Sequence, residues 1–594
     1  MKTLALALPL LCGAARAVPE STDYIIVGAG TAGLVIANRL SEDSAVTVTV
    51  VEPGTDQRNN PNVTDPTAFS LAFGTPIDWQ YKTTAQPGVG DRELQIHQGK
   101  AWGGTSTING ELRHQGFPTE AEVLKSFFIP GMTYIRGEVA QFDAWEKLGN
   151  QGWNWDALVP YYIKSEQYIA PSETQIAAGA TYQEKYHGFE GPLHVSYIPD
   201  LVNGNFSEPV IQSWESLSMP HNPDLNSGHP RGLGMGPQTL DPAMDRRWDA
   251  AQAYYYPVED RPNLKIVQGT VSRVLWEEDD SKRRPRDEDL VVASGVEFLT
   301  GDGEKVVLNA NKEVILSAGA IRTPQVLESS GVGNPRFGAE IPPITKPREN
   351  VLTDVTFLEI RILKSLGIET KVDLPSVGEN VGEQANHVIG YTGELGAAWS
   401  AYHTFLTAPD IFGSDFDAVK QSTLASLSEW AQATVDASGD DALNVTAVEK
   451  LMRVQYELIF EKHLTFAEIL TVIIPESHAS NYWVLLPFSR GSVHLGSADE
   501  INNPLIDPRF FRSGIDLSAT VATGKMVQKF WLSESINKFL TERTQPSLEV
   551  LPEDATDEQW EVFTQGTREF CLHLFIYIFF GPFACACLIM YGFK

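Results

Sequence analysis

The run Asp23-Tyr24-Ile25-Ile26-Val27 passes directly into Gly28-Ala29-Gly30-Thr31-Ala32-Gly33, and a second apolar segment, Val46 to Val51, ends on Glu52. This order reads as strand, glycine turn, helix (Leu34 to Leu40) and a second strand tipped by an acid, which is one βαβ unit. Gly28 permits a tight turn, Gly30 leaves room for a pyrophosphate at the backbone, and Gly33 lets the helix lie close to the sheet. The helix start offers the N–H groups of Thr31 and Ala32, with the positive end of its dipole, to phosphates. Glu52 stands nineteen residues after Gly33, where a carboxylate accepts hydrogen bonds from a ribose. A glycine turn alone is weak evidence. Set between strand, helix and acid, it predicts a dinucleotide ligand.

The 594 residues exceed the roughly 250–300 that one hydrophobic core spans, so two or more cores are expected. With 45 basic against 76 acidic residues the net charge is −31, spread along the chain. That balance argues against nucleic acid, whose phosphates need a basic surface. Met1-Lys2, the apolar run Leu4 to Leu11 and Ala15-Arg16-Ala17 predict a secretory leader over 1–17. Sequons at Asn62, Asn205 and Asn444 accord with secretion and glycosylation, and no membrane association is expected. Cys12 lies in that leader and Cys571, Cys585 and Cys587 lie near the end, so the body has no disulfide framework and depends on packing. No Cys/His cluster has metal-site spacing, and no metal is expected.

A second glycine-rich stretch, Gly99 to Gly110, contains Gly103-Gly104-Thr105-Ser106-Thr107-Ile108-Asn109. Backbone at Gly103 and Gly104 can touch a flat ring, and side chains such as Ser106 and Asn109 can hydrogen-bond its edge. A third, Ser317 to Gly333, follows the apolar strand Glu313 to Leu316 as another strand-to-helix turn. Together the three stretches resemble the glucose–methanol–choline (GMC) oxidoreductases, nearest to the fungal glucose oxidase branch. Gly149 to Asp156, Gln175 to Gly179, Arg261 to Leu264 and Leu485 to Gly491 carry the same likeness. The resemblance implies an FAD-dependent enzyme oxidising a small-molecule alcohol, with oxygen or a quinone as electron acceptor, and is compatible with a homodimer. A NAD-dependent dehydrogenase fits less well, because NAD does not require the second and third stretches.

The implied architecture is α/β: a discontinuous Rossmann-like FAD-binding domain plus an α+β substrate domain with a six-stranded antiparallel sheet. Its expected segments are FAD domain 20–145 and 240–395, substrate domain 146–239 and 396–566, and an atypical apolar tail 567–594. Gly28, Gly30, Thr31, Ala32, Gly33 and Glu52 would hold the ADP half of FAD. Gly103, Gly104, Ser106 and Asn109 would lie near the isoalloxazine, and Val271 would meet the adenine through its backbone. The only compact charge run, Glu277 to Asp289, reads as a solvated hairpin tip.

Three departures interrupt the family pattern. Residues 111–131 separate Asn109-Gly110 from Met132-Thr133-Tyr134, residues 337–361 split another continuous motif, and an apolar tail from Cys571 replaces the catalytic C-terminal segment. One cause, translated non-coding sequence, is expected to explain all three, and the alternative to an active enzyme is a catalytically impaired relative. Removing a hydroxyl proton during oxidation calls for a neutral imidazole. His573 follows Trp560 by thirteen residues, the family's spacing for that group, but without the turn that normally positions it. Glu569 and Phe69 stand where the resemblance implies sugar-contacting Arg and Tyr, which shifts the expected substrate to an aromatic or secondary-metabolite alcohol. Trp483 is either pocket lining or core, and His97, His387 and His494 read as structural.

Overall fold

The computed structural model describes residues 18–66, 68–109, 132–199, 207–277, 291–335, 363, 366–395, 400–438, 442–474, 477–497, 503–566 and 588–589. The expected leader, the sequon at Asn205, segments 111–131 and 337–361, the charge run past Glu277, the side chain of Phe69, and Glu569 and His573 lie outside the described residues.

The first sheet runs in the order Leu264–Gln268, Val48–Glu52, Ser21–Val27, Lys305–Leu316, Ala293–Leu299, Thr270–Trp276, and Leu588–Ile589 pairs beside Leu316. Its first four strands are parallel and the last two antiparallel. Parallel strands are covered on both faces, so they read as unbroken apolar runs; all five residues of Val48–Glu52 are buried. Alternation divides the core between those faces. Ile25, Val27 and Val51 pack with Val326 and Leu327 of helix Gly319–Ser329. Ile26, Val48 and Val50 pack with Leu34 and Ala37 of helix Thr31–Leu40.

The second sheet is antiparallel, in the order Ser400–Thr407, Thr465–Ile474, Ser477–Val484, His387–Gly393, Leu540–Gln545. It has five strands among the described residues where the resemblance implies six. His387–Gly393 pairs inside it, so the segment expected to belong to the FAD domain up to 395 enters this sheet at its end. Strand pairing sets that allegiance, and the local sequence of His387–Gly393 does not state it. One face, with Tyr402, Leu406, Ile469, Ile473, Tyr482 and Ile389, packs on Val527 and Trp531 of helix Gly514–Trp531. The other face carries His403, Phe405, Glu468, Leu470 and Trp483. No helix among the described residues is long and apolar enough to cross a membrane.

Buried charges tie distant segments together. His494 lies between Glu328 (Nδ1···Oε1, 2.6 Å) on helix Gly319–Ser329 and Glu379 (Nε2···Oε1, 3.1 Å), while Glu328 also accepts the Leu495 N–H at 2.8 Å. Burial alone would push this imidazole down, but the two carboxylates outweigh it and hold it up at about 10. His97 is paired with Asp78 at 2.6 Å, and His387 Nε2 lies 3.0 Å from the Thr564 carbonyl, both at positions read as structural.

Replacing His494 with Leu leaves two buried carboxylates without their shared cation. We expect a loss of about 3–5 kcal/mol, the usual cost of breaking a buried pair from one side. Because the folded-state value lies above the ordinary 6.5, the contribution is full below that pH and disappears as pH rises through about 10. Melting temperatures of wild type and His494→Leu should therefore differ by several degrees at pH 6 and converge towards pH 10.

Candidate active site

The first and second glycine stretches clasp each other. Gly103 N donates to Ala29 O at 2.8 Å. Gly104 adopts φ +56°, and a Cβ there would stand 2.6 Å from Gly30 Cα, closer than real contacts allow. Gly28, at φ +101°, backs onto the third stretch: a Cβ would lie 2.7 Å from the Ser317 carbonyl oxygen. The Ser317 hydroxyl donates to Val27 O at 3.0 Å. Three segments separated by more than seventy and two hundred residues are thus joined backbone to backbone.

Helix Thr31–Leu40 starts from Gly30 with no side-chain cap, and Thr31 and Ala32 are exposed. Helix Gly319–Ser329 also begins without a side-chain cap. Both follow neighbouring parallel strands, so both amide-rich ends sit at the carboxyl edge of the sheet, where open α/β sheets bind ligands. Gly30 has no neighbour nearer than 3.9 Å to its would-be Cβ, which leaves space beside the turn.

Glu52 turns towards this space. Its carboxylate accepts from Ala29 N at 2.9 Å and from Gly54 N at 2.7 Å, and burial pushes it up to about 7 despite both bonds. A carboxylate has about four lone-pair directions, so two more donors can be received. The Glu52 carbonyl also accepts from Gly269 N at 3.0 Å, which brings Val271 to the tip of the same strand; the Val271 side chain is packed in the sheet core. Uncapped helix ends, an open glycine turn and a desolvated acid fit the ADP half of FAD.

Ser106 is placed differently from expectation. Its hydroxyl donates to Gly103 O at 2.6 Å and accepts from Ala250 N at 3.0 Å, so it braces the loop from within. Buried Arg247 braces it again, donating to the carbonyls of Ser106 and Asn109 at 3.2 and 2.8 Å. Asn109 itself lines a cavity of about 170 Å³ that extends to the free face of the antiparallel sheet.

Strand parity decides what that cavity meets. Pairing places Phe405, Glu468 and Trp483 in one row across three strands, and His403 beside Leu470 in the next. All five line the cavity, opposite in parity to the core-facing residues. Trp483 is thereby lining. His403 Nδ1 lies 2.8 Å from Glu468 Oε1, and its Nε2 lies 3.4 Å from Thr133 Oγ1. In the same row, Asn481 is fully buried with neither amide atom partnered. Arg136, also lining, is fixed by Glu166 Oε2 at 2.7 Å, and Glu166 in turn by His187 at 3.0 Å. Sequence reasoning missed His403 and Glu468. A signal existed, since Glu468 is the one charged residue in the apolar strand Thr465–Ile474.

The GMC oxidoreductase family model matches residues 126–385. The glucose oxidase-like protein fsoC of Humicola fuscoatra is 52% identical over 567 residues, covering 95% of this chain and 87% of that protein. Glucose oxidase of Penicillium chrysogenum is 29% identical, covering 91% and 80%. Among solved structures, an FAD-dependent oxidoreductase from Chaetomium thermophilum superposes with TM-score 0.72 at 23% identity, covering 92% of this chain and 87% of that one. A fungal aryl-alcohol oxidase does so with TM-score 0.69 at 21% identity, covering 93% and 90%; at such identities the likeness is one of fold. On the strength of the fsoC match across nearly its whole length, the chain belongs to the GMC oxidoreductase family.

Proposed function

We propose that this chain is a secreted FAD-dependent oxidoreductase of alcohols, with a small aromatic or secondary-metabolite alcohol as substrate. The observation that carries the reading is the Gly30–Gly104 contact, which sets an uncapped helix end, Glu52 and the Asn109 loop around one space. In that reading the amides of Thr31 and Ala32 hold the pyrophosphate, Glu52 the ribose, and the Val271 backbone the adenine. Gly103 and Gly104 would hold the isoalloxazine half of FAD, and Asn109 lines the cavity beside them. FAD, when bound, supplies a two-electron acceptor. The chain's own residues orient the alcohol, exclude water and take its hydroxyl proton.

The aromatic preference is supported by the cavity walls, where the rings of Phe405 and Trp483 stand beside Leu464, Leu470 and Leu485. Anaerobic addition of benzyl alcohol to the flavin-loaded chain should bleach its flavin absorbance, and glucose should not. Bleaching by glucose alone, or by neither, overturns the substrate assignment.

Gly104→Ala tests the cofactor site directly. An alanine forced to positive φ costs about 1–3 kcal/mol and here also meets Gly30. The flavin retained per protein after desalting should fall at least tenfold, whereas Gly301→Ala, with no neighbour within 4 Å, should leave it unchanged.

Secretion is supported by the predicted leader and by Asn444, an exposed helix N-cap. Its Oδ1 accepts from Ala447 N at 3.1 Å, which leaves the amide nitrogen outward for a glycan. Endoglycosidase treatment of the secreted protein should shift its mass, and Asn444→Gln should remove one step of that shift.

A further inference from the structure

We propose that His403, held by Glu468, anchors the substrate hydroxyl in the sheet-face cavity and accepts its proton. The proposal rests on reading this cavity as the alcohol site. Both residues are buried, His403 at 2% exposure and Glu468 at 9%. They come from adjacent strands, where His403 pairs with Leu470 and Phe405 with Glu468, so the two are diagonal neighbours on one face. An ionised carboxylate only accepts hydrogen bonds. With Glu468 at 2.8 Å, Nδ1 therefore carries the ring hydrogen and Nε2 keeps its lone pair. The Thr133 hydroxyl, 3.4 Å from Nε2, is too distant to satisfy it strongly.

Burying this pair in a strand of the sequence Thr465-Phe-Ala-Glu468-Ile-Leu-Thr-Val-Ile-Ile474 costs free energy that an apolar residue would avoid. A ligand hydroxyl on Nε2 gives the pair a use. The cavity of about 170 Å³ sets the size of that ligand. Since a cavity of about 150 Å³ takes up benzene, the space holds one ring with a short substituent. Trp483, Phe405 and Leu470 supply the wall for the ring, and His403 the partner for a carbinol.

The alcohol O–H bond breaks and its proton passes to His403 Nε2. The carbinol C–H bond breaks with its electron pair, the C=O bond forms, and the departing hydride is received by a two-electron acceptor of the flavin class. The resulting imidazolium keeps its Nδ1–H and is stabilised by the Glu468 carboxylate that accepts from it.

The test compares benzyl alcohol with toluene, which has the same ring and no hydroxyl. Calorimetric titrations use the full chain with excess FAD, as wild type and as His403→Leu. Transfer out of water favours toluene, so an apolar cavity prefers it, while a hydroxyl anchor opposes that preference. The benzyl alcohol to toluene affinity ratio should fall at least tenfold in His403→Leu. Anaerobic flavin bleaching by benzyl alcohol should fall about 10²- to 10⁴-fold in His403→Gln, which keeps a polar group of similar length without a basic nitrogen. Glu468→Gln should slow bleaching with a smaller change in the affinity ratio. If both probes bind wild type and the ratio is indifferent to His403, or if His403→Gln bleaches at the wild-type rate, the assignment of His403 is wrong. If neither probe binds wild type, the cavity is not the alcohol site and the assignment fails with it. Should His403→Leu fail to fold, the His403→Gln bleaching rate decides.

Discussion

Gly30 and Gly104 touch at a separation that excludes any side chain on Gly104, and the rest of the candidate site takes its position from that touch. The helix end that faces phosphates begins at Gly30. The loop that leads to Asn109, and from there to the cavity, begins at Gly103 and Gly104. Ser317 closes the assembly from the third stretch by holding the Val27 carbonyl. Backbone contact of this kind is short, directional and intolerant of added atoms, which makes it a better ruler than a pair of flexible side chains.

The two sheets serve this arrangement in different ways. The parallel strands deliver chain ends: Val27 and Leu316 stop side by side and hand over to two uncapped helices. The antiparallel strands deliver a surface. Their alternation sends Tyr402, Ile469 and Tyr482 into the core and His403, Glu468 and Trp483 into the cavity from the same three segments. Arg136 and Glu166, both buried and paired at 2.7 Å, hold the opposite wall against that surface.

The nucleotide end of the molecule was legible because its signals are local. Gly28, Gly30, Gly33 and Glu52 fall within one βαβ unit, and each has a geometric reason that survives without knowing the rest of the fold. Ser106 shows the limit of such reading. Its residue type suited the edge of a ring, but only the approach of Ala250, 144 residues later, reveals that the hydroxyl is already engaged. The cavity was still less legible. His403 and Glu468 are 65 residues apart, and nothing in either neighbourhood states that their strands are adjacent and in register. The place of His387–Gly393 in the antiparallel sheet depends on the same long-range pairing. A lone acid inside the apolar run around Glu468 was the one local hint.

The division of labour within each antiparallel strand has an evolutionary corollary. Odd and even positions answer to separate selective pressures, one for cohesion and the other for what the enclosure admits. Descendants of such a scaffold can exchange Phe405, Leu470 or Trp483 and explore new chemistry while the packing behind Ile469 and Tyr482 is left alone. A lineage can thus diversify its diet without renegotiating how it folds.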